Sequence, residues 1–177
     1  MGGRRRLGQR RAAGRAAAED AFTTMFESLY PLAYRVAFRL LANSAAAEDI
    51  AAEAFSRAFA RWNVVGSLPY RDAWVLRVTT NLALSALSRR RAPTGVERTL
   101  SIEDATATRL ALVAALDSLP QRQREVIVLR YLAGLEEREI AAVLNIAPGT
   151  VKTHTKRGLE SLRGGLGDEF GGPRLAV

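Results

Sequence analysis

Apolar residues recur every third or fourth position along nearly the whole chain, and no stretch alternates convincingly between apolar and polar. Phe22, Phe26, Leu29, Ala33, Val36 and Leu40 form one stripe, long enough for a helix of about five turns. Ala47, Ile50, Ala54, Ala58 and Trp62 form a second, widened by Phe55 and Phe59. After Pro69 a third runs through Trp74, Val75, Val78, Leu82 and Ala86 to an arginine run. Further on come Leu110, Val113 and Leu116, then Val126, Ile127 and Tyr131 behind Pro120, which is placed to open a helix. Gly134 ends that helix. Ile140, Val143 and Leu144, then Val151, Thr155, Leu159 and Leu162, complete the pattern. A half-buried strand needs a period of two, so this chain predicts an all-α protein.

Charge divides those helices into two groups. Residues 21–92 carry nine arginines against five acids, and residues 107–165 carry nine basic residues against six. Between them, 93–106 has one arginine and three acids and opens with Pro93, Thr94 and Gly95, a turn-prone boundary. The expected architecture is two small helical domains, 21–92 and 107–165, joined by a flexible linker over 93–106. Each is small enough to be marginally stable alone. Residues 1–20, with six arginines, read as a disordered basic arm. Residues 166–177 read as a disordered tail, in a stretch from Gly164 to Val177 holding five glycines and a proline.

The chain has no cysteine and one histidine, His154. That excludes disulfides, Cys-ligated zinc, iron–sulfur clusters and thiol nucleophiles, and leaves no His-rich metal site or His-Asp relay. The paired glycines 164–165 and 171–172 follow no strand and precede no Gly-Lys-Ser/Thr, so no phosphate loop is present. We expect no enzyme activity, cofactor or metal. No run reaches 18 apolar residues, and the basic N-terminus lacks the apolar segment of a secretory signal. A soluble cytoplasmic protein with no membrane role is the expectation. The net charge of +8 favours a polyanionic partner, nucleic acid first.

The strongest local signal lies between Glu136 and Arg163. A short amphipathic helix, a tight turn at Asn145–Pro148 and a longer helix spell a helix-turn-helix. Val151, Thr155, Leu159 and Leu162 face inward in that reading, while Lys152, Thr153, Lys156 and Arg157 form a basic, hydrogen-bonding outer face. A recognition helix needs donors near its N-terminus for base edges and cations for phosphates. Both lysines of the protein, Lys152 and Lys156, fall here. A helical hairpin with a solvated charged face is the plainer reading. Ala147 stands where a Ser or Thr N-cap is usual, and Pro148 in the first turn offsets part of that loss.

In the first unit, Glu48, Asp49 and Glu53 lie near the start of a helix, Asp49 and Glu53 one turn apart on one face. They serve either a docking surface or a helix N-terminus that favours negative charge. Arg71, Arg77, Asn81, Arg89 and Arg90 follow near Trp62, Tyr70 and Trp74, a mixture suited to nucleic acid with base stacking. Trp74 reads more readily as core than as a stacking platform.

Three segments, AAAEDIAAEAFSRAFARW, YRDAWVLRVTTNLALSALSRRR and LDSLPQRQREVIVLRYLAGLEEREIAAVLNIAPGTVKTH, resemble in order regions 2 and 4 of extracytoplasmic-function sigma factors, members of the sigma-70 family of bacterial RNA polymerase subunits. The resemblance covers roughly residues 22–92 and 107–163. It implies promoter recognition, −10 melting and transcription initiation, with core polymerase and promoter DNA as partners and an anti-sigma factor as a further candidate. It implies core docking through Glu48, Asp49 and Glu53. It assigns the −10 element to the loop Asn63–Tyr70 and the helix Arg71–Arg91, with Asn63, Arg71, Arg77, Asn81, Arg89 and Arg90 as contacts. It gives the duplex −35 element to Pro148, Gly149, Thr150, Lys152, Thr153, His154, Lys156 and Arg157. Ala52 stands where the family usually has Gln, and His154 where Arg is commoner. TVKTH also resembles the DNA-binding domain of quorum-sensing response regulators, so the alternative is a stand-alone helix-turn-helix regulator. The chain shows neither a receiver domain nor a dimerisation helix.

Overall fold

The computed structural model describes residues 3–91 and 107–170, and the described residues form eight helices and no strand. In the first unit α1 (Gly3–Leu41), α2 (Ser44–Ala60), the single turn α3 (Trp62–Val65) and α4 (Arg71–Arg91) follow in order. In the second come α5 (Ala107–Ser118), α6 (Gln121–Tyr131), α7 (Glu137–Leu144) and α8 (Pro148–Phe170).

Short-range chemistry sets the corners. Ala42 closes α1 in the left-handed region at φ 53°, its N–H on the Phe38 carbonyl at 2.9 Å. Asn43 then caps α2, its Oδ1 accepting the Ala46 N–H at 2.8 Å. Gly66 lets the chain pass close over Trp62, where a Cβ would stand 2.8 Å from the Trp62 carbonyl oxygen. Gly134, at φ +73°, turns the chain after α6 where a side chain would be strained. Asn145 ends α7 at φ 54°, and its small polar side chain makes that left-handed position tolerable.

The apolar stripe of α1 buries Leu29, Ala33 and Val36 against Ala51, Ala54 and Phe55 of α2 and Leu76 of α4. In the second unit Val126, Leu129, Ile140, Leu144 and Val151 are each no more than 3% exposed. The two units share these cores. Leu40, Leu41, Ala83 and Leu84 of the first cluster with Leu116, Ile127 and Leu162 of the second. Helix α4 therefore packs on α1 and α2 by one side and on α6 and α7 by another.

Three expectations change. Residues 3–20 are not a disordered arm; they continue α1 unbroken. Arginine and alanine are strong helix formers, and Arg15 Nε bonds Glu19 Oε1 one turn on at 2.8 Å, so high charge misread helix as disorder. Residues 166–170, assigned to a disordered tail, belong to α8. The segment Asn63–Tyr70, expected as loop, opens inside α3. The expected linker 93–106 and the rest of the tail, 171–177, lie outside the described residues.

Gly158 fixes how closely α8 approaches α6. A Cβ there would stand 2.9 Å from Ile127 Cγ1 and 3.5 Å from Gln123 Cβ. Gly158→Val should push the helices apart and lower the stability of the second unit by about 1–3 kcal/mol, despite valine's better helix propensity. Thermal unfolding followed by circular dichroism checks this; an unchanged or raised midpoint would mean the contact yields freely.

Candidate nucleic-acid interface

The turn between α7 and α8 is closed by backbone bonds. Ile146 N–H reaches the Ala141 carbonyl at 3.0 Å, and the Thr150 and Val151 N–H groups both reach Ala147 at 2.9 and 3.2 Å. At the far end of α7 the Glu136 N–H is held by Glu139 Oε2 at 2.8 Å. Val151 is fully buried on the inner side of α8 and Leu162 nearly so. Pro148, Gly149, Thr150, Lys152, Thr153, Lys156 and Arg157 are all exposed. His154 is half-buried at the border of the two faces, its Nδ1 shielded and without a partner. Thr153 Oγ1 bonds the Gly149 carbonyl at 3.0 Å, so its hydroxyl is held by the helix and its methyl group is free. Lys152 and Lys156 have only long ion pairs, at 3.9 Å to Glu137 and 4.0 Å to Glu160. Such exposed pairs are worth little and give way readily to phosphate.

Sequence reasoning missed one flank of this helix. A groove of about 340 Å³ beside Lys152 and Lys156 is also lined by Arg130, Tyr131 and Arg163. Arg163 stands seven residues after Lys156, two turns along the same face, and that spacing was the available signal. Arg130 and Tyr131 come from α6, and only the tertiary fold brings them here.

Glu48, Asp49 and Glu53 are exposed on α2. With Ser44 opening that helix, Asp49 and Glu53 lie beyond its first turn, where the macrodipole is weak, so N-terminal charge compensation does not account for them. Glu48 accepts the Ser44 hydroxyl at 3.2 Å and Glu53 pairs with Arg57 at 2.7 Å. On the same helix Phe55 and Phe59 join Phe22, Phe26 and Trp62 in an aromatic cluster that packs edge to face, with Phe59 54% exposed.

The residues assigned to the −10 element do not share one open surface. Asn63 and Arg89 are exposed, and Arg71 lies beside Asp72 at 3.5 Å. Arg77 is half-buried, its Nη1 donating to the Val143 carbonyl of α7 at 2.7 Å. Asn81 lines a cleft of about 540 Å³ between α4 and α6, with Ser85, Ser88, Gln121, Arg124 and Glu125. Arg90 falls in the last turn of α4. Tyr70 and Trp74 pack partly buried against the core.

Two family models match the chain in order: Sigma-70 region 2 over residues 25–92 and Sigma-70, region 4 over residues 109–162. The ECF RNA polymerase sigma factor SigW of Bacillus subtilis (strain 168) is 51% identical over 47 residues, 27% of this chain. That match spans only about a quarter (25%) of the relative's own length. Among solved structures, the sigma factor RpoE crystallised with the anti-sigma factor NepR from Bartonella quintana aligns at a TM-score of 0.55 and 23% identity, covering 82% of this chain and 96% of its own. CnrH, solved with the cytosolic domain of CnrY, aligns at 0.61 and 23%, covering 87% and 97%. These two share the fold. With both regions matched in sequence and in order, the chain belongs to the sigma-70 family.

Proposed function

We propose that the chain is an RNA polymerase sigma factor that directs core polymerase to promoters, reading the −35 element as duplex and the −10 element as melted strand. What carries this reading is the ordered pair of family regions, 25–92 and 109–162, the second presenting an exposed basic recognition helix. The outer face of α2, with Glu48, Asp49 and Glu53, docks on core polymerase. Asn63, Arg71, Arg77, Asn81, Arg89 and Arg90 hold the −10 strand, where extruding a base costs only a few kcal/mol that a pocket can return. Pro148, Gly149, Thr150, Lys152, Thr153, His154, Lys156 and Arg157 meet the −35 duplex, and Arg130 and Arg163 extend its phosphate contacts.

A sigma factor does no covalent chemistry itself, so no cofactor or metal is called for. None of the described helices is long and apolar enough to cross a membrane, and both proposed partners are cytoplasmic, so we place the protein there. The two fold relatives were solved with partners, one of them named as an anti-sigma factor, and a regulator of that kind is a candidate partner here too. A stand-alone regulator would leave the region 2 match without a use.

Run-off transcription with core polymerase, on a promoter selected by the protein, tests the reading; efficient binding to duplex without core and no transcript with it would overturn it. The register of the recognition helix has its own test. Lys152→Ala should lose roughly 1–3 kcal/mol and relax preference at one −35 base pair. Lys156→Ala should weaken binding evenly across sequences and lower the salt slope by about one. Holoenzyme binding to a library randomised at the −35 element, at several salt concentrations, separates the two. If Lys156→Ala alters sequence preference and Lys152→Ala does not, the register is wrong.

A further inference from the structure

The match to Sigma-70 region 2 begins at residue 25, yet α1 begins at Gly3. The buried face of α1 starts at Met25, with Phe22 packed partly buried beside it. Upstream, Ala13 to Ala17 and Glu19 to Ala21 are exposed, and a Cβ on Gly14 would meet nothing within 4 Å. Residues 3–21 thus add about 28 Å of helix to the matched region, at 1.5 Å per residue. The composition of this arm is one-sided. Residues 1–18 hold six arginines and no acid. Arg4, Arg11 and Arg15 are spaced by two turns and one turn, which sets them on one line along the helix, and Arg6 and Arg10 share another. The first turn of α1 holds no acidic residue, so like charges and the helix dipole repel there without compensation. Arg15 pairs with Glu19 at 2.8 Å, an exposed contact worth little against phosphate. Among residues 2–18 Leu7 is the one bulky apolar side chain, so the arm lacks the apolar face that sinks a basic helix into a bilayer.

The arm leaves the bundle at a defined place. The Phe22 ring lies 4.9 Å from Phe59 and 5.2 Å from Trp62. Trp62 opens α3, whose Asn63 and Val64 are exposed. We infer that the arm is a second, sequence-independent DNA contact, in which its arginines neutralise phosphates of the duplex flanking the −10 element. Its location rests on the assignment of Asn63 to that element under the proposed function; its affinity for duplex phosphate does not. The guanidinium fork suits phosphate, which it bonds bidentately. A straight helix against curved duplex brings one line of side chains to the backbone, so about three phosphates are met at once, as Arg4, Arg11 and Arg15 would meet them. Such contacts carry no sequence information. The arm therefore raises affinity for every promoter alike and leaves selection to α8 and the −10 residues.

Arg4→Gln, Arg5→Gln, Arg6→Gln, Arg10→Gln, Arg11→Gln and Arg15→Gln together remove the charge and keep good helix formers in place. Holoenzyme with this full-length variant should bind promoter at least about ten-fold more weakly at about 0.1 M salt, with a log–log salt slope shallower by about three. Base preference at both elements and affinity for core should not change, and Arg→Lys at the same six positions should regain most of the slope. An unchanged slope overturns the contact. So does a loss of core affinity, which would give the arm to polymerase, and so does wild-type binding to phosphatidylserine vesicles that outcompetes duplex. The location is read separately. The chain has no cysteine, so Ala13→Cys offers a single thiol for a DNA-cleaving iron chelate. Its cuts in the promoter complex should fall in the duplex beside the −10 element, and cuts confined elsewhere overturn that placement. If wild-type holoenzyme shows no promoter preference while the glutamine substitutions still lower the salt slope on any duplex, the proposed function fails and the phosphate contact stands.

Discussion

Val151→Asp should unfold the second unit and abolish −35 binding outright. Val151 is fully buried among residues that include Ile140, Leu144 and Leu129, with no cation in that cluster to accept a carboxylate. An unpartnered charge there costs on the order of 4 kcal/mol, about the whole stability that a unit of this size can supply. Hydrogen exchange should show protection lost across α6 to α8. The core of α1, α2 and α4 should persist with a lower melting temperature, because it loses the shared contacts of Leu40, Ala83 and Leu84. Full protection across α8 in the variant would place Val151 at the surface and break the inward register of the helix.

The second large effect falls on core docking. Asp49→Arg with Glu53→Arg reverses two charges one turn apart on the exposed side of α2. Like-charge juxtaposition at an interface costs several kcal/mol, so affinity for core polymerase should fall about 100-fold, on the order of 3 kcal/mol. The intrahelical loss is small. The Glu53–Arg57 pair is half-exposed at both ends, and helix pairs of this kind contribute roughly 0.2–0.5 kcal/mol. A titration against core, with circular dichroism alongside, reads both effects. Native spectra with unchanged affinity would remove these residues from the docking surface.

Local structure was largely legible in the residues. Leu29, Ala33, Val36 and Leu40 of the first stripe are all buried, and the helix ending in the arginine run spans Arg71–Arg91. Pro120, Gly134 and Asn145 stop or start helices for reasons each residue carries by itself. What stayed hidden is long-range. Phe26, on the same stripe, is 38% exposed while its neighbour Met25 is 2% exposed, so the buried face of α1 runs through Met25 and leaves Phe26 at its flank. Ala83 and Leu84 look like ordinary helix positions, and nothing in their spacing announces that they cluster with Leu116 of α5, Ile127 of α6 and Leu162 of α8. Arg77 reads as a free cation until Val143 is placed beside it. The arginine-rich start of α1 misled in the opposite direction, since charge density argues for disorder while the same residues favour helix locally.

The backbone-closed corner between α7 and α8 has a thermodynamic consequence. Asn145 in its left-handed position, the Ile146-to-Ala141 bond and the doubly bonded Ala147 carbonyl fix the orientation of α8 before any DNA arrives. Ordering that corner is a cost of folding and not of binding. Under the proposed function, capture of the −35 duplex should therefore lack the large negative heat-capacity change of coupled folding and show counterion release as its signature. On the proposed function, the temperature dependence of promoter engagement then lies with strand opening more than with the recognition helix.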